Sequence, residues 1–505
     1  MPTITLQVGQ AGNQLGQALW ERLVAQSGAD RAADTELFRV GLDGKRRARC
    51  LLIDTEPKVV NGVLSADREA LFSRQQCYVG QSGRGNNWAF GYNQLRNADP
   101  SAAGAVPYGR PAAAGGGTTA LGPAWVSSTA TEDPSQAEFR ILEHVYDGIR
   151  REAEEADGCP TFFMVHSLAG GSGSGMGSRV LEHLRSAYPL AHIATASVAP
   201  RPAGDTPMQS LNATMSLSFL QAYADAVLLL SNQDLMDACQ RPSVAALLPG
   251  GGGAGGGGGG GGMDAINRLA AHNLAGLLWP LDGADALGGV GRIRDTVCTV
   301  AADPCTKMLE TWTVHANPAT AVTGLWSESV RSLNSLMPRA DALRANAPIS
   351  TAGAMLIARG YPEQVVPSGN SATTASARTA LLSSYHKALG PQGAAPTLEP
   401  DATLVMRRGQ AALSKDVRKL ATGPIKPPPG GAAPSLTAVS NRSGVVGLLE
   451  GTVRRALALC DAGAYLHWYA RHGCSEDAVR DAAHNVLDVA ACYRQLHRLP
   501  HDDAD

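Results

Sequence analysis

The chain has 505 residues, of which 17% are charged and 44% hydrophobic, and its formal net charge is −2. This length predicts two or three domains and a large buried core. The near balance of 43 basic and 45 acidic residues argues against a polybasic surface for nucleic acid or membranes. Nine cysteines without a C-x-x-C pair predict free, reduced thiols rather than disulfides or a zinc site.

The chain begins with residues that alternate as in a β-strand, and it lacks the basic head and apolar stretch of a signal peptide. Its longest apolar run, residues 226–230, is far too short to span a bilayer. We therefore expect a soluble, cytosolic protein without membrane insertion.

Up to about residue 240, strand-like runs alternate with amphipathic helical stretches, which predicts an α/β fold with a mostly parallel sheet. The predicted strands are residues 4–8, 50–53, 161–165, 194–198 and 226–230, and a predicted helix includes residues 141–146. Two segments interrupt the pattern, residues 98–134 and the glycine tract 250–262, and their composition predicts flexible surface insertions. A proline-rich break at residues 423–431 precedes a predicted helical pair within residues 445–496.

A glycine- and serine-rich turn, residues 168–177 (LAGGSGSGMG), joins the third predicted strand to a helix. Such a turn directs backbone N–H groups into one concavity at the positive end of the helix, an arrangement that binds phosphate. It has neither the G-K-[ST] of a P-loop nor the G-x-G-x-x-G spacing. By itself it is also consistent with a tight connection that binds nothing.

Three further loops follow predicted strands or lie between them: residues 9–14 (GQAGNQ), 54–57 (DTEP) and 83–88 (GRGNNW). The carboxylates of Asp54 and Glu56, two residues apart at a strand end, suit a hydrated Mg²⁺, which takes few protein ligands. Open α/β sheets bind ligands at the carboxyl ends of their strands. Together the loops predict one ligand site at that edge.

In this order, the four loops resemble the nucleotide loops of the tubulin superfamily. Residues 205–206 and 212–214 are similar to the tubulin ribose loop and the helix after it, and residues 466–469 (LHWY) resemble part of the C-terminal helices. The resemblance implies a GTP-binding domain at residues 1–240, a core helix and α+β intermediate domain at 241–440, and a C-terminal helical layer at 441–505. It also implies GTP or GDP and Mg²⁺ as cofactors.

The resemblance assigns roles to individual positions of this sequence. The implied phosphate-binding residues are Gln10, Ala11, Asn86, Gly170, Gly171, Ser172, Gly173 and Ser174. The implied ribose contact is Asp205, and the implied base contacts are Asn13, Asn212 and Asn232. The residues implied at Mg²⁺ are Asp54, Glu56 and Gln10.

Several positions depart from the family pattern. Leu228, four residues before Asn232, stands where we expect the tyrosine that stacks on guanine, and Gln209 replaces a glutamate of the ribose loop. The acidic residue that completes the hydrolysis site of a neighbouring subunit corresponds to Asp295, or in another register to Arg292 or a neutral residue. We therefore expect GTP binding with weak or absent hydrolysis.

Residues 54–61 and 86–92 look closest to the delta-tubulins, as do the apolar residues 228–230 and the short tail, residues 501–505 (HDDAD), in place of a long acidic one. This resemblance implies a role in triplet microtubules of centrioles and basal bodies, hence in cilia or flagella. The implied partners are other tubulins in head-to-tail contact and centriolar proteins. The alternatives are an actively hydrolysing, polymer-forming subunit and another minor tubulin of the epsilon, zeta or eta type.

Overall fold

The computed structural model describes residues 2–27, 36–41, 44–93, 134–202, 204, 206–241, 244, 261–279, 292–315, 325–337, 340–341, 347–359, 405–407 and 435–496. Its strands are β1 Thr3–Val8, β2 Phe38–Val40, β3 Arg46–Ala48, β4 Cys50–Asp54, β5 Cys77–Val79, β6 Thr161–Ser167, β7 Ile193–Ala199, β8 Ala226–Ser231, β9 Met308–His315, β10 Ala340–Asp341, β11 Ala347–Pro348, β12 Thr351–Arg359, β13 Val405–Arg407 and β14 Ser435–Arg442. Each of the five predicted strands is present.

The α-helices are α1 Gly9–Ser27, α2 Pro57–Ala66, α3 Trp88–Asn93, α4 Pro134–Glu154, α5 Gly177–Ala187, α6 Gln209–Tyr223, α7 Asn232–Cys239, α8 Gly261–Leu278, α9 Arg292–Thr299, α10 Leu325–Leu336, α11 Val445–Asp461, α12 Leu466–Ala470 and α13 Glu476–Gln495. A 3₁₀ turn covers Arg74–Gln76, and a π-helical turn covers Gly171–Met176. The predicted C-terminal helical pair is therefore α11 and α13, with α12 between them.

Ten of the described strands form one sheet in the order β13-β12-β14-β9-β8-β7-β6-β1-β4-β5. All neighbours from β9 to β5 pair in parallel, whereas β9, β14, β12 and β13 pair antiparallel. The sheet is mostly parallel, as predicted. The strands of the expected intermediate domain extend this same sheet, because β9 pairs with β8 at Val227↔Met308 and Leu228↔Leu309.

Apolar side chains cover both faces of the sheet, which explains why its central strands read as continuous apolar runs. On one face Leu15 and Leu19 of α1 belong to the core, and on the other Val446 of α11 and Val486 of α13 do. Tyr493 fixes α13 to the sheet: its hydroxyl accepts a hydrogen bond from the Met308 nitrogen at 2.8 Å and donates one to Asn441 Oδ1 at 2.7 Å.

Most of the two predicted insertions lies outside the described residues, except that Pro134 begins α4 and residues 261–262 begin α8. All nine cysteines lie in the described part of the chain and are free, as predicted. None of the helices described is long and apolar enough to cross a membrane.

Candidate functional site

The carboxyl ends of β4, β1 and β6 lie side by side, and the loops that follow them meet at one edge of the sheet. The register places Val8 opposite Ile53, and Gln7 opposite Val165. The next residues along the chain therefore form a single surface, built from the start of α1, residues 54–57 and the glycine turn at 170–177. This is the edge at which open α/β sheets bind ligands.

The start of α1 and the glycine turn touch through their backbones. A Cβ on Gly9, which has φ +75°, would lie only 2.7 Å from the Gly173 nitrogen. A Cβ on Gly173 would lie 3.1 Å from both the nitrogen and the oxygen of Ser167. Glycine is thus needed at both positions because two backbones approach within contact distance. The result places two helix starts, each with N–H groups free of helical partners, next to one another.

The loop before α3 packs on the opposite side of the turn. A Cβ on Gly175 would lie 2.1 Å from the Trp88 oxygen, and one on Gly171 would lie 2.9 Å from the Asn87 nitrogen. The Trp88 indole donates to Ser178 Oγ at 3.0 Å, and Asn87 Oδ1 accepts from the Ala89 nitrogen at 2.9 Å. The loop and the turn therefore form one rigid wall.

Asn212 connects four segments around this wall, and it is fully buried. Its Nδ2 donates to the oxygens of Asn86 at 2.7 Å and Ala169 at 2.6 Å. Its Oδ1 accepts from the Trp88 nitrogen at 2.9 Å and from the hydroxyl of Tyr469. These four bonds use the whole capacity of the amide. The predicted contact of Asn212 with a base is untested, and in this structure the side chain holds the loops together.

Asn13 plays a similar part on the first helix. Its Nδ2 donates to the oxygens of Gly9 at 2.9 Å and Ile53 at 3.1 Å, which ties the start of α1 to the end of β4. Its Oδ1 is buried and has no hydrogen-bond partner among the described residues. Gln10 and Ala11 lie on the same first turn of α1, and Gln10 is exposed.

Asp54 lies at the end of β4 and is 4% exposed. Burial raises its pKa to about 6, although hydrogen bonds from the backbone of Thr55 and Glu56 act in the opposite direction. The Thr55 nitrogen donates to Asp54 Oδ1 at 2.7 Å, and Thr55 Oγ1 lies 2.5 Å from Ser172 Oγ on the glycine turn. No cationic side chain of the described residues forms an ion pair with Asp54, and a divalent cation stabilises such a buried carboxylate in its ionised form. Glu56 is exposed beside it.

The structure says less about the remaining predicted positions than about the loops after β1, β4 and β6. Asn232 is the first residue of α7, directly after β8 at the same edge, and is half-buried. Asp205 lies outside the described residues, and Asp295 belongs to α9 but its side chain is likewise outside them. Gln209 supports the loop before α6, since its Nε2 donates to the Arg201 oxygen at 2.9 Å.

The expectation for Leu228 is wrong. The residue lies inside β8, paired with Ala196 and Leu309, and its side chain is 1% exposed in the core. It cannot contact a ligand at the sheet edge, so it is not the counterpart of a stacking side chain.

His166 is part of the site, although the sequence analysis did not single it out. It lies on β6 under the glycine turn, with Nδ1 3.0 Å from the Gly173 oxygen and Nε2 2.8 Å from Ser197 Oγ. The only sequence signal is a histidine directly after the apolar run 162–165.

The LHWY segment also reaches the site. Tyr469 is buried and bonded to Asn212, and Asn87 Nδ2 donates to the Trp468 oxygen at 3.0 Å. Trp468 of the same segment is 43% exposed.

Comparison with known proteins shows which proteins the first part of this chain is similar to. Residues 2–102 and 130–240 match the model of the Tubulin/FtsZ family, GTPase domain. The chain is 30% identical over 251 residues to a tubulin beta chain of Aspergillus fumigatus, covering 47% of each chain. It is 32% identical over 250 residues to the tubulin beta-1 chain of Chondrus crispus, covering 47% of this chain and 46% of that one. The chain thus matches about half the length of these relatives.

Proposed function

We propose that the protein is a cytoskeletal subunit that binds GTP or GDP with Mg²⁺, because residues 2–102 and 130–240 match the model of the Tubulin/FtsZ family, GTPase domain. The observation that carries the proposal is the meeting of the loops at one sheet edge. There Gly9 lies against Gly173, and Thr55 against Ser172.

The phosphates are the part of the nucleotide for which the support is strongest. The first turn of α1, with Gln10 and Ala11, lies against the turn Gly170–Ser174 through the contact of Gly9 with Gly173, and we infer that the backbone N–H groups of both turns face the phosphates. Helix starts carry a partial positive charge that favours anions. Asn86, held at φ +51°, lies beside the glycine turn and completes the proposed phosphate site.

Mg²⁺ would be held by Asp54 and Glu56, together with Gln10, on the phosphate side of the site. The raised pKa of Asp54 supports this proposal, since within the described part of the chain its buried carboxylate has no ion-pair partner and the cation would supply the positive charge. When bound, the cation neutralises phosphate charge. The residues fit the preference of Mg²⁺ for few carboxylate ligands and several waters.

The ribose and base contacts are proposed from the positions that these residues occupy in the sequence resemblance to the tubulins. Asp205 is assigned to the ribose, and Asn13, Asn212 and Asn232 to the base. The buried Oδ1 of Asn13 accepts no hydrogen bond from the described residues, so it could accept one from the base. Asn212 would have to exchange one of its four present hydrogen bonds for a nucleotide contact.

For the chemistry at the terminal phosphate we propose weak or absent hydrolysis, with Asp295 as the candidate acidic residue toward a neighbouring subunit. The alternative is a polymer-forming subunit that hydrolyses GTP actively. The rate of GTP hydrolysis by the purified protein, measured at increasing protein concentration, distinguishes the proposal from this alternative. Rapid, concentration-dependent phosphate release would favour the alternative.

The finer proposal is a delta-tubulin-like role at centrioles and basal bodies, with other tubulins as head-to-tail partners. Residues 54–61 and 86–92 support it through sequence resemblance alone. A fluorescently tagged chain expressed in ciliated cells is expected at basal bodies. Labelling spread along cytoplasmic microtubules would contradict this role and leave the nucleotide proposal intact.

The nucleotide proposal itself is tested by extracting the ligand retained by the purified full chain. We expect GTP or GDP, released faster after chelation of Mg²⁺ by EDTA. An adenine nucleotide, or none together with no binding of added GTP, would overturn the proposal.

A further inference from the structure

His166 lies completely within the protein, directly beneath the glycine turn. Its Nδ1 is 3.0 Å from the Gly173 oxygen, and its Nε2 is 2.8 Å from Ser197 Oγ on the neighbouring strand β7. A carbonyl oxygen can only accept, so the imidazole proton resides on Nδ1. Nε2 then accepts a hydrogen bond from the Ser197 hydroxyl, which fixes the tautomer.

The histidine is neutral at physiological pH, because burial lowers its pKa to about 4 despite the opposing effect of the Gly173 carbonyl. Ser197 Oγ also lies 3.0 Å from Thr195 Oγ1. The hydroxyls of Thr195 and Ser197 and the imidazole of His166 thus form one line of hydrogen bonds that ends on the Gly173 oxygen. The direction of hydrogen-bond donation along this line, from Ser197 through His166 to the Gly173 oxygen, is set by the carbonyl acceptor and not by a charged group.

The position of the Gly173 oxygen determines where the next amide points. A trans peptide is planar, with its N–H opposite its C=O, so holding the oxygen toward the sheet turns the Ser174 N–H away from it. In this structure that N–H donates to the Gly170 oxygen over a long distance of 3.3 Å.

We propose that His166 is a positioning residue for phosphate binding: it holds the Gly173 carbonyl on the sheet side, so that the amides of the turn are aligned before a nucleotide arrives. This inference rests on the proposed GTP-binding function. It assigns His166 no contact with the nucleotide itself. Loss of the residue should therefore weaken the phosphate contacts and leave the base contacts alone.

The test compares the affinities of the full chain for GDP and for guanosine, which lacks phosphates. His166→Phe keeps an aromatic ring but removes both hydrogen bonds, and we expect the GDP affinity to fall at least about tenfold with guanosine binding unchanged. His166→Asn places an amide nitrogen where Nδ1 was, and we expect its GDP affinity to stay within about threefold of the parent. If His166→Asn retains GDP affinity while His166→Phe loses it, the hydrogen bond to the Gly173 oxygen matters and the mere filling of the core by the side chain does not.

His272 on α8 supplies the matched control, since it is a second buried histidine whose pKa is lowered by burial. His272→Phe is expected to change stability but not the ratio of GDP to guanosine affinity. Ser197→Ala removes the hydroxyl that bonds to His166 Nε2 and replaces His166→Phe in the test if that variant does not fold. We expect the GDP affinity of Ser197→Ala to fall about threefold, with guanosine binding unchanged.

A parent chain that binds no GDP would refute the proposed function. A parent that binds GDP, with His166→Phe or Ser197→Ala keeping the parental ratio of GDP to guanosine affinity, would overturn the inference alone.

Discussion

Thr55 and Ser172 come from loops 117 residues apart, yet their hydroxyl oxygens lie 2.5 Å from each other. This bond joins the loop that carries Asp54 to the glycine turn, and so joins the proposed cation site to the proposed phosphate site. Removal of the Thr55 hydroxyl by Thr55→Val should lower Mg²⁺-dependent GTP affinity by about tenfold, the loss expected for a buried hydrogen bond of 1–1.5 kcal/mol.

Thr55→Ser retains the hydroxyl and is the matched control for this prediction. Titration of GTP at a series of Mg²⁺ concentrations measures both variants. Equal Mg²⁺ dependence in Thr55→Val and the parent would show that the bond does not couple the two parts of the site.

Gly173→Val should abolish nucleotide binding. A Cβ at this position would lie 3.1 Å from the backbone of Ser167 and 3.4 Å from the Val8 oxygen, so a branched side chain would displace the turn. The measurement is equilibrium binding of a fluorescent GTP analogue, with circular dichroism to establish that the variant is folded. A folded variant with parental affinity would remove the glycine turn from the proposed site.

Gly62→Ala provides a control glycine and a prediction of its own. The residue lies inside α2, and a Cβ there would meet no atom within 4 Å. Alanine should raise the free energy of unfolding by about 0.5–1 kcal/mol, because glycine costs more backbone entropy in a helix. Urea denaturation measures the change, and GTP affinity should stay constant. A destabilised variant would contradict the helical assignment at this position.

Asp54 should make the ligand-free protein more stable as the pH falls. Its pKa is about 6 in the folded chain, against an ordinary value of 3.8, so the folded state binds the extra proton between these values. The contribution of this group to the free energy of unfolding therefore falls as the pH rises from 4 to 6, by up to about 3 kcal/mol.

Asp54→Asn isolates this effect, because all other groups titrate equally in both proteins. Without Mg²⁺ and nucleotide, the variant should exceed the parent in stability at pH 7 and lose that advantage at pH 4.5. Urea denaturation at the two pH values measures it. A stability difference that is independent of pH would show that Asp54 is already ionised without cost.

Tyr493→Phe should lower the free energy of unfolding by about 1–3 kcal/mol, the cost of leaving buried polar groups unpaired. The hydroxyl serves both the Met308 nitrogen and Asn441 Oδ1, so its loss affects β9, β14 and α13 together. Chemical denaturation gives the value. A change below 0.5 kcal/mol would mean that the two partners find other bonds.

The sequence was sufficient to predict the parallel half of the sheet and the position of its loops, because apolar runs ending in glycine or polar residues are local signals. It was not sufficient for β9, β12 and β14, whose addition to the sheet depends on pairing over long sequence distances. Leu228 was aligned with the base-stacking position by counting back four residues from Asn232 in the sequence. That position lies inside β8, where the Leu228 side chain is buried in the core away from the sheet edge.

His166 and Asn212 show the same limit at the site. The role of His166 depends on Ser197, which is brought beside it only by the pairing of β6 with β7. Asn212 was recognised as a site residue, but its four partners come from three other segments of the chain. Residue identity was enough to propose candidate positions, and their hydrogen-bond partners became known only from the fold.

The bond from Tyr469 to Asn212 has a consequence for the synthesis of the protein. The loops that meet at the sheet edge, including the start of α7 at Asn232, are all translated before residue 240, but the hydroxyl that fills the last acceptor site of Asn212 belongs to residue 469. While the ribosome adds the intervening residues, the buried amide lacks one partner, and so does Asn87, which bonds to the Trp468 oxygen. The glycine turn of a nascent chain therefore gains its full set of hydrogen bonds only after α12 has been made, so a segment near residue 470 is needed to complete a site built from residues far earlier in the chain.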